Sequence, residues 1–113
     1  HNSVKQDDYD RVIKVKTLID KEYHRHFSYK DFPRIVGSNE QSIKIAFKKV
    51  MGKSIYEYLT HVRMERSKNL LENTDLTIEV IARKVGLHRT NLTKQFLKTY
   101  GFSPATWRIH HKN

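Results

Sequence analysis

The chain has no cysteine, which excludes disulfides, thiolate nucleophiles and cysteine-ligated zinc and suits a reducing cytoplasm. Proline occurs twice and glycine four times, too few for a loop-rich or collagen-like chain. No apolar run approaches the roughly 20 residues needed to cross a bilayer. The opening His1-Asn2-Ser3-Val4-Lys5-Gln6 has no apolar core after its basic residue, so it is no signal peptide. It also lacks an initiating Met, and the sequence therefore reads as a fragment of a longer protein. No phosphate-binding glycine loop, nucleophile elbow or paired carboxylates occur, and an enzyme is not expected. The histidine pairs His24/His26 and His110/His111 lack the spacing and companions of a metal site, so neither metal nor cofactor is expected.

Acidic residues are also in deficit. Lys and Arg number 22 against 12 Asp and Glu, a formal charge of +10 on 113 residues. With 37% hydrophobic residues the chain holds a modest core, so it is a folded basic domain and not a tail. Such a domain suits a polyanion, duplex DNA above all. The rival reading is a basic helical interaction module that binds an acidic protein, and a third is charge that serves solubility alone.

The few glycines and prolines punctuate an all-helical chain. From Asp8 to Tyr23, apolar Tyr9, Val12, Val15, Leu18, Ile19 and Tyr23 recur at helical spacing. Ser28, with Asp31 three residues on, opens a short helix that Gly37 stops. Ser38 or Asn39 caps a helix running to Met51, ended by Gly52. Ser54 and Glu57 form a capping box at the head of a long helix that carries Ile55, Tyr58, Leu59, Val62 and Leu70 to about Glu72. After the turn Asn73-Thr74-Asp75, Thr77 opens another short helix broken at Gly86. A further helix runs to Tyr100, and Ser103-Pro104 starts a last one. About seven helices fall into three parts: 8–53, a linker helix 54–73, and 74–111.

A repeat runs through this punctuation. Shifted by 49 residues, Phe27-Ser28 falls on Leu76-Thr77, Phe32 on Ile81, Val36-Gly37 on Val85-Gly86, and Ile43 on Leu92. Phe47 falls on Phe96, Lys49 on Lys98, Gly52 on Gly101, Ser54 on Ser103 and Tyr58 on Trp107. Each copy is a short helix, a turn at glycine and a longer helix: the helix-turn-helix, whose second helix enters the major groove. Phe32, Ile35 and Val36 supply the buried face of the first short helix, and Ile78, Ile81 and Val85 that of the second. Ile43 with Phe47, and Leu92 with Phe96, anchor the longer helices. Residues between break and Phe differ, as expected of one scaffold with two reading surfaces.

The second copy, Ile78-Glu79-Val80-Ile81-Ala82-Arg83-Lys84-Val85-Gly86-Leu87, resembles the second motif of the AraC/XylS family of bacterial regulators. Phe96, Lys98, Gly101, Ser103-Pro104 and Trp107-Arg108 are similar to its closing signature. The segment Tyr58 to Arg66 with Leu70-Leu71 is similar to its connecting helix. The likeness covers roughly Asp8 to His110. It implies a cytoplasmic transcription regulator that binds double-stranded DNA, usually an activator touching RNA polymerase, with a sensing or dimerising domain ahead of residue 1. Three departures stand out. Pro33 replaces a small helix former and shortens or kinks the first short helix. The stretch from Gly86 to Phe96 is one residue shorter than the usual spelling, which leaves the fold intact and the second reading register open. Leu87 and Leu92 replace phenylalanines.

Outward positions opposite the anchors include Glu40, Gln41, Lys44 and Lys48 in the first copy and Arg89, Thr90, Thr93 and Lys94 in the second. The resemblance places Gln41, Lys44, Ile45, Arg89, Thr90, Thr93 and Lys94 at base edges. Their chemistry suits this: Gln matches adenine, Lys and Arg guanine, and the Thr methyl thymine. Expected phosphate contacts are Ser28, Lys48, Lys49, Lys53, Arg63, Thr77, Lys98 and Arg108, with free amides at the helix ends near Ser28 and Thr77. Arg63 and Arg66 have an equal claim to ion pairs within the linker. That linker, about 18 residues at 1.5 Å each, spans about 27 Å against the roughly 34 Å between successive major-groove faces. One chain should then read an asymmetric site and bend the DNA towards itself.

Overall fold

A computed structural model describes residues 5–113; the opening segment His1–Val4, on which part of the signal-peptide reading rests, lies outside them. Among the described residues there are seven helices and no strand: α1 Gln6–Glu22, α2 Asp31–Val36, α3 Glu40–Met51, α4 Ile55–Asn73, α5 Ile78–Lys84, α6 Arg89–Tyr100 and α7 Pro104–His111. The chain divides into two compact units, residues 1–59 and 60–113, and the division falls inside α4.

The caps set most of the boundaries. Asn39 accepts from the Ser42 amide at 2.8 Å and opens α3, so Asn39 and not Ser38 is the cap. Ser54 and Glu57 form the reciprocal capping box: the Glu57 amide donates to Ser54 Oγ at 3.0 Å, and the Ser54 amide donates to Glu57 Oε1 at 2.8 Å. Thr77 and Ser103 accept from the Val80 and Thr106 amides. Gly37 and Gly86 take φ of +72° and +82°, a left-handed turn that a Cβ would strain.

The first unit packs α2 and α3 on α1. Val12, Val15 and Ile19 bury one stripe of α1 against Phe32, Val36, Ile43, Ala46 and Phe47, with Ile55 and Leu59 from the head of α4 also buried. Burying one such large side chain contributes roughly 1.5–3 kcal/mol. Pro33 does not kink α2. The helix starts at Asp31, two residues later than α5 would by the repeat, so Pro33 is its third residue. There its missing amide would have had no partner, and no carbonyl four residues back belongs to the helix. At this position the proline fits a short α2 of six residues.

The second unit buries Met64, Leu71, Ile81, Ala82, Leu92 and Phe96, with Leu70, Leu76, Ile78, Leu87, Tyr100 and Trp107 packed around them. Its repeat relation to the first unit is closer than glycine punctuation shows. The spans of α3 and α6 differ by 49 at both ends, and α4 and α7 also start 49 apart. The turn before α6 is therefore the same length as the turn before α3. Both turns close the same way, Ser38 amide to Pro33 carbonyl and Leu87 amide to Ala82 carbonyl.

The part played by α1 in the first unit falls to α4 in the second, at an offset of 52. Buried Val12, Val15 and Ile19 correspond to buried Met64, Ser67 and Leu71. Ser67 fills its apolar position by donating its hydroxyl to the Arg63 carbonyl at 2.8 Å. The polar fastening repeats too. The Tyr58 hydroxyl donates to Asp20, and its ring meets Phe47 edge-on at 5.8 Å beneath the Lys16 ammonium. Trp107 Nε1 donates to Glu72, and its ring meets Phe96 edge-on at 5.9 Å beneath the Lys68 ammonium.

Three carboxyl groups sit below their ordinary range: Glu57 through the Ser54 amide, Glu65 through the Tyr100 hydroxyl, and Asp75 through Lys112. A depressed folded pKa gives stability that is present above the unfolded pKa and lost as pH falls through the folded one. Thermal unfolding followed by circular dichroism should give a Tm that is level from pH 7 to about 5 and falls below about pH 4. Glu65→Gln should remove part of that slope.

Candidate nucleic-acid interface

The helical period turns Gln41, Ile45 and Lys48 to the centre of the α3 face opposite buried Ile43, Ala46 and Phe47. Glu40 and Lys44 flank that face on one side and Lys49 on the other. On α6 the same construction from buried Leu92 and Phe96 centres Thr90, Lys94 and Leu97, with Arg89 and Thr93 on one flank and Lys98 on the other. Gln41, Lys48, Lys49, Arg89, Thr90, Lys94 and Lys98 are exposed, while Glu40, Lys44 and Thr93 are partly covered.

By the repeat, Glu40 corresponds to Arg89, Gln41 to Thr90, Lys44 to Thr93, Ile45 to Lys94 and Lys48 to Leu97. None of these pairs keeps its chemistry. Ile45, 48% exposed, is an apolar residue at the centre of a polar face, and Lys94 is its basic counterpart. In the first unit Tyr29, Lys44, Ile45, Lys48 and Lys49 line one open groove with Ser54 and Ile55. Three lysines thus line this groove together with the start of α4. Lys53, in the turn before α4, is exposed.

The second unit departs from this at two places that sequence reading missed. Where the first has Lys48 and Lys53, it has Leu97 and Phe102, 51% and 49% exposed. The repeat offset was the signal that could have found them.

Several expected phosphate contacts are placed otherwise. Arg108 is partly buried, and its guanidinium is spent on carbonyls at the end of α4 and in the loop after it. Its Nε donates to Leu71 at 3.0 Å, Nη1 to Leu76 at 2.6 Å, and Nη2 to Thr74 at 3.1 Å and Leu70 at 3.5 Å. One N–H of the five is left, so this residue fastens α7 to α4. Arg63 is buried at 7% exposure and lies on no open face. At Ser28 the amide donates to Asp31 Oδ2 at 3.0 Å. The Ser28 amide is thus taken by a carboxylate next to the position expected for a phosphate. Thr77 is exposed, and its hydroxyl caps α5. Lys49 and Lys98 keep open positions.

Two helix-turn-helix units on one chain, each with an outward second helix and a basic flank, define a double-headed DNA-binding domain. The chain belongs to the AraC/XylS-type helix-turn-helix family, whose model, described as a helix-turn-helix domain, matches residues 34–110. It is 32% identical over 103 residues to the Msm operon regulatory protein of Streptococcus mutans, covering 90% of this chain and 37% of that protein. It is 33% identical over 94 residues to the lactose operon transcription activator of Staphylococcus xylosus, covering 82% and 34%. The chain thus spans about a third of the length of these curated relatives. The fold matches the DNA-binding domain of AdpA, a global transcriptional factor solved with a target DNA. That match has a TM-score of 0.84 at 20% identity and covers 88% of this chain and 91% of that one.

Proposed function

We propose that this DNA-binding domain reads an asymmetric two-part site, with α3 and α6 in successive major grooves of the duplex. The observation that carries this is the change of chemistry at Glu40/Arg89, Gln41/Thr90, Lys44/Thr93, Ile45/Lys94 and Lys48/Leu97 on one repeated scaffold, where Lys49/Lys98 alone on these faces is kept. A chain reading two identical half-sites would keep the same residues on both. Gln41, Lys44 and Ile45 serve as base readers in one half and Arg89, Thr90, Thr93 and Lys94 in the other, with Glu40 beside Lys44. Lys48, Lys49, Lys53, Thr77 and Lys98 hold phosphates. The continuous α4, 19 residues, extends about 28 Å at 1.5 Å per residue, close to one turn of DNA.

The whole protein would be a bacterial transcription regulator acting in the cytoplasm. The Staphylococcus xylosus relative is called a transcription activator, which supports activation, with RNA polymerase as the partner touched at a promoter. The greater length of the curated relatives supports a further sensing or dimerising domain. No described helix is long and apolar enough to cross a membrane.

Lys48 and Lys53 face phosphates where Leu97 and Phe102 do not, so the phosphate-facing lysines are concentrated in the first unit. In a titration of binding against salt, Lys48→Leu with Lys53→Phe should lower the slope of log K on log salt by about 2. Leu97→Lys with Phe102→Lys should raise it by a similar amount.

A further inference from the structure

The Lys44 ammonium is already engaged. It lies 3.0 Å from Glu40 Oε2, one helical turn earlier, and 4.1 Å from the centroid of the Tyr29 ring. Tyr29 stands in the turn ahead of α2, and its ring packs edge-on to Phe32 at 6.4 Å. Phe32 is itself buried, so the ring that meets the lysine is braced by the core. The second unit has nothing like this. At 49 residues on, the three positions are Ile78, Arg89 and Thr93, with no aromatic, no acid and no lysine among them.

A carboxylate on a DNA-facing helix is repelled by phosphates and contributes only where it accepts from a base. In the major groove the cytosine N4 amino group is its usual donor, while lysine matches guanine O6 and N7. Glu40 and Lys44, touching one another one turn apart, therefore present an acceptor and a donor side by side. The tyrosine face limits where the lysine head can lie, since an ammonium is attracted to the ring face.

We propose that Tyr29, Glu40 and Lys44 form one reading unit for a G·C base pair, or for two adjacent ones, in the half-site taken by α3. Lys44 donates to guanine, Glu40 accepts from cytosine, and Tyr29 is a positioning residue that holds the lysine. The proposal rests on α3 being a reading helix.

The test is site selection followed by competitive binding, with Glu40→Ala, Tyr29→Ala, Tyr29→Phe and Lys44→Ala compared with the parent chain. Glu40→Ala should bind random duplex about 2–5-fold tighter, because a like charge is gone from the DNA face, and should lose about tenfold in discrimination at one G·C pair. Tyr29→Ala should lose several-fold at the same base pair with an unchanged salt slope. Tyr29→Phe, which keeps the ring face and the packing on Phe32, should restore it. If Lys44→Ala alone changes the preference while Glu40→Ala and Tyr29→Ala do not, the three-residue unit is wrong and α3 remains a reader. If Lys44→Ala also leaves the preference unchanged, both readings fall.

Discussion

Arg108→Ala should lower the stability of the second unit by roughly 2–4 kcal/mol and leave the DNA affinity of the folded chain nearly unchanged. The guanidinium reaches four carbonyls, at Leu70, Leu71, Thr74 and Leu76. They belong to the last turn of α4 and to the loop after it, where a helix has no amides left to meet its final oxygens. Each charge-assisted bond contributes about 1.5–3 kcal/mol at most, and water recovers part of what is lost on truncation. The planar fork matters, so Arg108→Lys should recover less than half. Calorimetry should show the loss as a Tm fall of roughly 10–20 °C for a unit this small. A side chain that served as a phosphate ligand would behave in the opposite way: Tm would hold and the salt slope of binding would drop by about 1.

Lys44→Ala and Arg89→Ala should each cost about 1–3 kcal/mol at the preferred site, roughly 5–150-fold in Kd, and relax the preference at one or two base pairs. Against random duplex the loss should be only that of one cation. The two residues sit on different units, so their effects should fall in different halves of the site. Titrations on duplexes altered in one half at a time check this directly. If neither variant changes affinity or preference, the reading faces have been assigned wrongly.

The parts of the fold that were legible in the sequence are those fixed by local chemistry. Ser54 with Glu57 announces a helix start, because only that pairing satisfies both free amides. Gly52 and Gly101 end helices at matching places, and Phe47 and Phe96 mark the same core position. From these the two helix-turn-helix units follow. The equivalence of α1 and α4 did not. Val12, Val15 and Ile19 share no residue type with Met64, Ser67 and Leu71, and their offset of 52 differs from the 49 of the rest. The connection from α1 to α2 is eight residues and that from α4 to α5 four, and with the helix ends shifted by one or two residues this absorbs the difference of three.

The interface was legible in outline for the same reason and misread where tertiary packing decides. An arginine in a basic domain reads as a phosphate ligand, yet Arg108 is turned inward by the packing of α7 near the end of α4. No local pattern records that. Pro33 would be interior to a helix starting at Tyr29, where it would remove an amide and crowd the preceding turn. With the start at Asp31 it does neither. Contact between Tyr29 and Lys44 spans 15 residues and a turn, beyond the reach of helical periodicity.

The most direct test of the account is selection of binding sites from a random duplex pool, run at low and near-physiological salt. The expected result is one asymmetric two-part site, its halves about one helical turn apart and its stringency kept as salt rises. Recovery of two identical halves, or no enrichment at either salt, would contradict it.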